Sequence, residues 1–219
     1  MKIIDIQTLV VNAEMRNWVF VKVVTDENIY GWGEATVEWK TRAVVGAIED
    51  IKPLLIGKDP RQIKQNFQIM TKHGFWKLGV IGMSAISGIE HALWDILGKS
   101  LNTPVWQLLG GKVRDKVKIY THLGMGDMKA VYRDTMNVSG LTDHAQKLVD
   151  LGYTAFKVVF IPFTHYTVLK EDLSLVNTLM SSLRDKVGDN IKIMVDFHGR
   201  CASGISAIQY TKELEAYNP

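Results

Sequence analysis

A single cysteine, Cys201, stands among 219 residues, so no disulfide can close within the chain. A basic block is also missing. The 26 lysines and arginines are dispersed among 23 aspartates and glutamates, leaving a formal charge of +3 and no cluster able to neutralise a run of phosphates. Nucleic acid is therefore not expected as a partner. No apolar run approaches the roughly 18 residues that cross a bilayer, so membrane insertion is not expected either. The opening MKIIDIQTLVV is interrupted by Asp5 and Gln7, unlike the core of a secretion signal, and a cytoplasmic location is expected. No P-loop, no zinc-type cysteine pair and no serine elbow occurs, which removes three common chemistries.

What is present is enough apolar material, 47% of residues, for one large domain or two small ones. Between residues 2 and 36 apolar and polar residues alternate (Ile4, Ile6 against Asp5, Gln7; Val19, Val21, Val23 against Lys22), with breaks near Asn12 and Asp26–Asn28. That period of two predicts a three-stranded antiparallel meander. From Lys40 to Gly111 the period becomes helical, with Asp59 as an N-cap, Pro60 at the first helical position and Gln62 reaching back to complete a capping box. Ile86, Ile89, Leu93 and Leu97 form an apolar stripe on one helix. Residues 1–112 are thus expected to form an α+β domain.

After Gly110-Gly111 come three apolar segments, VKIYTHL, TAFKVVF and IKIMVDF, starting near Val117, Thr154 and Ile191. They are evenly spaced, and each interval is long enough for a helix and its loops, the signature of parallel βαβ units. No Gly-rich turn that could hold a dinucleotide follows any of them. Residues 113–219 are expected to be the first three units of a (β/α)8 barrel. Three units cannot close a barrel that typically takes about 250 residues, so the chain is expected to be truncated, with an exposed parallel edge.

The segment Val195-Asp-Phe-His-Gly-Arg200 lies at the C-terminal end of the third strand, where barrel enzymes keep their active sites. If Met194, Asp196 and His198 keep the strand period, a carboxylate and an imidazole share one side, about 6.5 Å apart. The bland alternative is that Asp196 caps the turn that follows and His198 is an ordinary loop residue. Lys157, at the same end of the second strand, is costly to bury unpaired, and it either meets a carboxylate or snorkels to water. Glu90, His91 and Asp95 share a helix and read as structural. His73, His144 and His165 have no spaced partners, whereas His122 ends the first barrel strand and could line the same cavity.

Gly31-Trp-Gly-Glu34, Met83-Ser-Ala-Ile-Ser-Gly-Ile-Glu-His-Ala-Leu-Trp-Asp95 and Pro104-Val-Trp-Gln-Leu-Leu-Gly-Gly111 resemble segments of the mandelate racemase and muconate lactonizing group of the enolase superfamily. The resemblance implies an N-terminal capping domain followed by a partial TIM barrel. Asp196-Phe-His-Gly-Arg200 is similar to the third-strand motif of acid sugar dehydratases, above all the galactonate dehydratases. By that resemblance Asp196 is a ligand of catalytic Mg2+, His198 a general acid, Lys157 a catalytic cation, and Arg16 (in the turn from Ala13 to Trp18) and Arg200 substrate-binding residues. The implied reaction converts an acid sugar such as galactonate to a 2-keto-3-deoxy acid.

Two features depart from the pattern. The group's racemases carry Lys-x-Lys on the second strand, where this chain has Lys157-Val-Val159, so lysine-based racemisation, epimerisation or cycloisomerisation is disfavoured. Two further metal ligands and a histidine base would lie beyond Pro219, so the chain is expected to be inactive by itself. The expected partners are a small acid sugar and other copies of the chain. The rival expectation is a non-catalytic association module.

Overall fold

The computed structural model describes residues 1–123, 137–164 and 167–219, in two compact units, Met1–Asp115 and Lys116–Pro219. His165 lies outside the described residues.

In the first unit β1 (Ile3–Ala13), β2 (Arg16–Thr25) and β3 (Tyr30–Glu34) form an antiparallel sheet in the order β1-β2-β3. The alternation sets its faces: Ile3, Ile6, Val19, Val21 and Val23 are buried, while Leu9, Trp18, Tyr30 and Trp32 are exposed. Four helices follow, α1 (Thr41–Leu55), α2 (Ile63–Lys72), α3 (Gly79–Ser100) and α4 (Val105–Leu108). The glycines of β3 let α3 approach the sheet. A side-chain carbon built at Gly33 would stand 1.9 Å from the carbonyl oxygen of Gly88, and one at Gly31 2.0 Å from that of Ala92. Asp95 then locks the pair, accepting from the Trp32 amide at 2.9 Å and from Lys99 Nζ at 2.8 Å.

Two expectations are corrected here. The Asp59 carboxylate is occupied by the backbone and guanidinium of Arg61, so it caps nothing, and α2 begins later, at Ile63 with Gln62 before it. The helix Gly79–Ser100 does have the length and mean hydropathy (1.2) of a membrane span, contrary to the reading that no stretch approaches one. Its apolar character has another use, because Ala85, Ile86, Gly88, Ile89, Ala92, Leu93, Ile96 and Gly98 are buried in the unit's core. It is the central helix of that core.

The second unit carries a parallel sheet of β4 (Thr121–His122), β5 (Ala155–Val158) and β6 (Lys192–Val195) in that order. The helices α5 (Val138–Asp150), α6 (Lys170–Val187) and α7 (Gly204–Leu214), with a 3-10 turn over Glu215–Tyr217, accompany it. Three parallel strands added in one direction are what the start of a barrel has, and equally what the first half of a doubly wound sheet has, so the strand order alone does not separate the two. The first strand is shorter than its apolar pattern predicts. Val117, Ile119 and Tyr120 are exposed, and β5 is the only strand pairing with β4 among the described residues. Leu123, Phe156, Val158 and Ile193 pack into one core with Leu141, Ala145, Val176, Leu179, Met180 and Tyr210 of the helices. Parallel strands alternate sides, so His122, Lys157 and Met194 lie on the face opposite that core.

Candidate active site

The register fixes what shares that face. His122 pairs with Lys157 across β4 and β5, and Lys157 pairs with Met194 across β5 and β6. Asp196 follows β6 by one residue, its amide donating to the Val158 carbonyl at 2.9 Å, so the chain stays in register as it leaves the strand. Lys157 Nζ then donates to Asp196 Oδ2 at 2.8 Å. The lysine thus has a carboxylate partner; it does not merely snorkel.

The strand period does not carry Asp196 and His198 together, and here the geometry differs from expectation. β6 ends at Val195, and His198 adopts a left-handed backbone at φ 48°, followed by Gly199 at φ 67°. Asp196 closes the turn, accepting from the His198 amide through Oδ1 at 2.8 Å. The same turn swings the imidazole back, so that Nδ1 lies 3.2 Å from Asp196 Oδ2. The carboxylate therefore both caps a turn and meets the imidazole. Asx turns favour this conformation because the short side chain supplies the hydrogen bond that the left-handed residue needs.

Two charge-bearing side chains, Lys157 and His198, converge on one carboxylate. Lys157 and Asp196 are about three-quarters buried, with side-chain exposures of 28% and 25%, while His198 is 58% exposed and can meet a ligand. Burial pushes the Asp196 carboxyl up, but the hydrogen bonds from Lys157 and from the His198 ring and amide outweigh it, leaving the pKa at about 2. Asp196 is an anion at neutral pH. For His122, burial together with the Lys157 ammonium holds the imidazole pKa below its ordinary value, so the ring is neutral at pH 7.

The loops beyond the strands are tied to each other. Thr164 and Cys201 form a parallel bridge, with the Thr164 amide donating to the Arg200 carbonyl at 2.9 Å, and the Thr164 and Tyr210 hydroxyls lie 2.8 Å apart in the core. Arg200, expected at the substrate, is turned inward. It is 5% exposed, donates to the Ile161 carbonyl at 2.7 Å and stacks its guanidinium 4.8 Å from the Phe163 ring centre. It braces the loop that carries His198. Arg16 heads β2 in the first unit and pairs with Glu38. Glu90, His91 and Asp95 hold no metal-like arrangement, Asp95 being taken up by Trp32 and Lys99.

Magnesium prefers six oxygen ligands and is commonly held by carboxylates with water. Asp196 offers one carboxylate, and its Oδ2 already faces an ammonium and an imidazole. Among the described residues no three His, Cys, Asp or Glu side chains gather into a metal-binding group. These residues do not by themselves fit Mg2+.

The paired group on the first strand was visible in the sequence only as a residue to watch. His122 joins the face because Leu123, its neighbour, enters the core. The Lys157–Asp196 pair spans two strands and has no local sequence signal beyond the even spacing of the strands.

Known proteins share the family and fold of this chain. Residues 3–110 match the N-terminal domain of the mandelate racemase / muconate lactonizing enzyme family, and residues 140–219 match the enolase C-terminal domain-like family. Among solved structures, a candidate dehydratase from Mesorhizobium loti is 31% identical with a TM-score of 0.86, over 99% of this chain and 58% of that one. An enolase from Agrobacterium radiobacter, a candidate galactarate dehydratase with bound sodium and L-malate, is 29% identical with a TM-score of 0.85, over 100% of this chain and 54% of that one. An enolase from Pantoea ananatis with bound D-gluconate and magnesium is 29% identical with a TM-score of 0.83, over 99% and 58%. This chain thus spans between 54% and 58% of the length of these three relatives. A meander-and-helix cap, a parallel sheet added strand by strand and both family matches lead to one conclusion: the chain belongs to the mandelate racemase and muconate lactonizing group of the enolase superfamily.

Proposed function

We propose that this chain carries the cap and the proton-donating corner of an acid sugar dehydratase. The observation that carries the reading is the contact of Asp196 with both Lys157 and His198 at the C-terminal ends of adjacent parallel strands. Lys157 supplies positive charge on the inner face, where the carboxylate of an acid sugar can be held. His198 is oriented through Nδ1 by Asp196 and keeps Nε2 for a ligand. Delivered from Nε2, a proton joins the departing C3 hydroxyl, so that the C3–O bond breaks with loss of water, a far better leaving group than hydroxide. The proton at C2 goes to a base outside the described residues, and the resulting enol becomes a 2-keto-3-deoxy acid. Val159, apolar and 7% exposed, stands where the group's racemases have a second lysine, which favours elimination over racemisation.

The neighbours support an acid sugar, two of them holding D-gluconate or L-malate. Galactonate is the substrate suggested by the Asp196-Phe-His-Gly-Arg200 motif, and Arg16 in the cap is proposed as a specificity residue. Magnesium is proposed as the cofactor of the whole protein; Asp196 would supply one ligand, and the other carboxylates would have to come from outside the described residues. The test is an assay of 2-keto-3-deoxy acid formation across aldonic and aldaric acids, using a form of the protein that contains this chain and the further barrel strands of its relatives. Product from at least one acid is expected, and no product from any of them would overturn the reading.

A second reading, an association module, draws on the sheet edges. Neither outer edge, β4 nor β6, has a strand partner among the described residues, and Val117, Ile119, Ile205 and Ile208 are exposed. Such edges pair with other chains, so a homo-oligomer is proposed under this second reading.

A further inference from the structure

His198 stands at a left-handed corner of the chain. The Arg200 amide donates to the Phe197 carbonyl at 2.9 Å, closing a tight turn with His198 (φ 48°) and Gly199 (φ 67°) at its centre. Two central residues at positive φ mark a type I′ turn, where glycine, asparagine and aspartate dominate. Histidine tolerates that region better than most side chains, but it keeps one such conformation only where the surroundings enforce it. Asp196 enforces it from one side, through the His198 amide and ring. The other side is held by Arg200.

The Arg200 side chain runs beneath the turn to the loop that follows β5. Its Nη1 donates to the Ile161 carbonyl at 2.7 Å, and its guanidinium lies 4.8 Å from the Phe163 ring centre. That loop is itself fixed. Phe160 and Ile161 are buried, and Thr164 is stitched to both sides of Cys201, its amide donating to the Arg200 carbonyl at 2.9 Å and its carbonyl accepting from the Ala202 amide at 3.0 Å. Arg200 is buried, so its charged head faces the loop and not a substrate. The rigid, planar guanidinium fork then sets the distance between turn and loop, which a flexible ammonium would not. We propose that Arg200 is a positioning residue that holds the His198 turn in its left-handed form and so aims the imidazole. It acts on proton delivery and not on substrate binding. The consequence for catalysis rests on the dehydratase reading, whereas the positioning rests on the turn and its clamp.

Two measurements test it. The first uses this chain as it stands and compares the parent with Arg200→Met by NMR. A positive φ brings the amide and α protons of one residue close together, so His198 should give a strong intraresidue NOE in the parent and a weak one in Arg200→Met. The amide shifts of β6 should stay in place, and an undiminished His198 NOE would overturn the inference. Should Arg200→Met fail to fold, Phe163→Leu at a half-exposed position removes the stack alone; the same weakening is expected there, and a full NOE would overturn the inference. The second measurement uses Arg200→Met in the longer form, where kcat for elimination should fall roughly tenfold or more, with KM within about threefold and solvent exchange at C2 retained. Unchanged kcat, a larger rise in KM, or loss of exchange together with elimination would overturn it. If the parent enzyme turns over no acid sugar, the dehydratase reading falls by itself, and the His198 NOE still decides the role of Arg200.

Discussion

At the scale of single residues, the site depends on the Asp196 carboxylate serving three donors at once. Because its folded pKa is about 2 against an ordinary 3.8, the charged form contributes stability above pH 4, and this is lost as pH falls from 4 toward 2. Partial exposure limits the contribution to about 1–2 kcal/mol. Urea unfolding of the parent chain and Asp196→Asn at pH 7 and pH 2.5 measures it, since asparagine keeps the turn and removes only the charge. The parent should be more stable at pH 7, with the gap narrowing at pH 2.5; a gap independent of pH would show that the charge contributes nothing. The sequence revealed the identity of these residues and the end of the sheet they occupy, but not how Asp196 meets His198. The two-residue strand period breaks off there, because His198 and Gly199 are two successive left-handed residues. The Asp-x-x-Gly pattern is a turn signal, and it competes with the strand reading at that point. Arg200 was misplaced for a related reason: only the bridge between Thr164 and Cys201 reveals that its side chain is drawn beneath the loop.

At the scale of elements, the meander and the second and third parallel strands were legible because each had a clear period and a definite turn at its end. Where a local competitor was present, the sequence misled: Arg61 captured the carboxylate meant to cap α2, and β4 pairs over two residues although seven had the pattern of a strand. The Gly31-Trp-Gly-Glu34 segment was recognisable as a motif, but its physical cause needed the structure. Gly33 is required because a backbone oxygen of α3 occupies the space of its side chain. Gly33→Ala should therefore cost about 3 kcal/mol or more, since a carbonyl within a helix cannot move aside as a flexible side chain can. Thermal unfolding measures this, with Gly46→Ala as a control because a carbon there meets nothing within 4 Å. Equal melting temperatures for the two variants would contradict the close-approach account.

At the scale of the whole molecule, the two units follow from the change of sequence period after Gly110-Gly111, and both family matches respect it. Under the association-module reading, the outer edges of β4 and β6, unpaired among the described residues, predict self-association. Sedimentation velocity between about 1 and 100 μM should show a discrete oligomer, and a monomer throughout would contradict the proposal. The central claim concerns His198 as the donor of the proton that releases water. It is tested most directly in the longer form by following, for parent and His198→Ala, both solvent deuterium exchange at C2 of the acid sugar and elimination. The account predicts that exchange persists while elimination falls roughly 10²-fold or more. Elimination undiminished in His198→Ala, or exchange and elimination lost together, would contradict it.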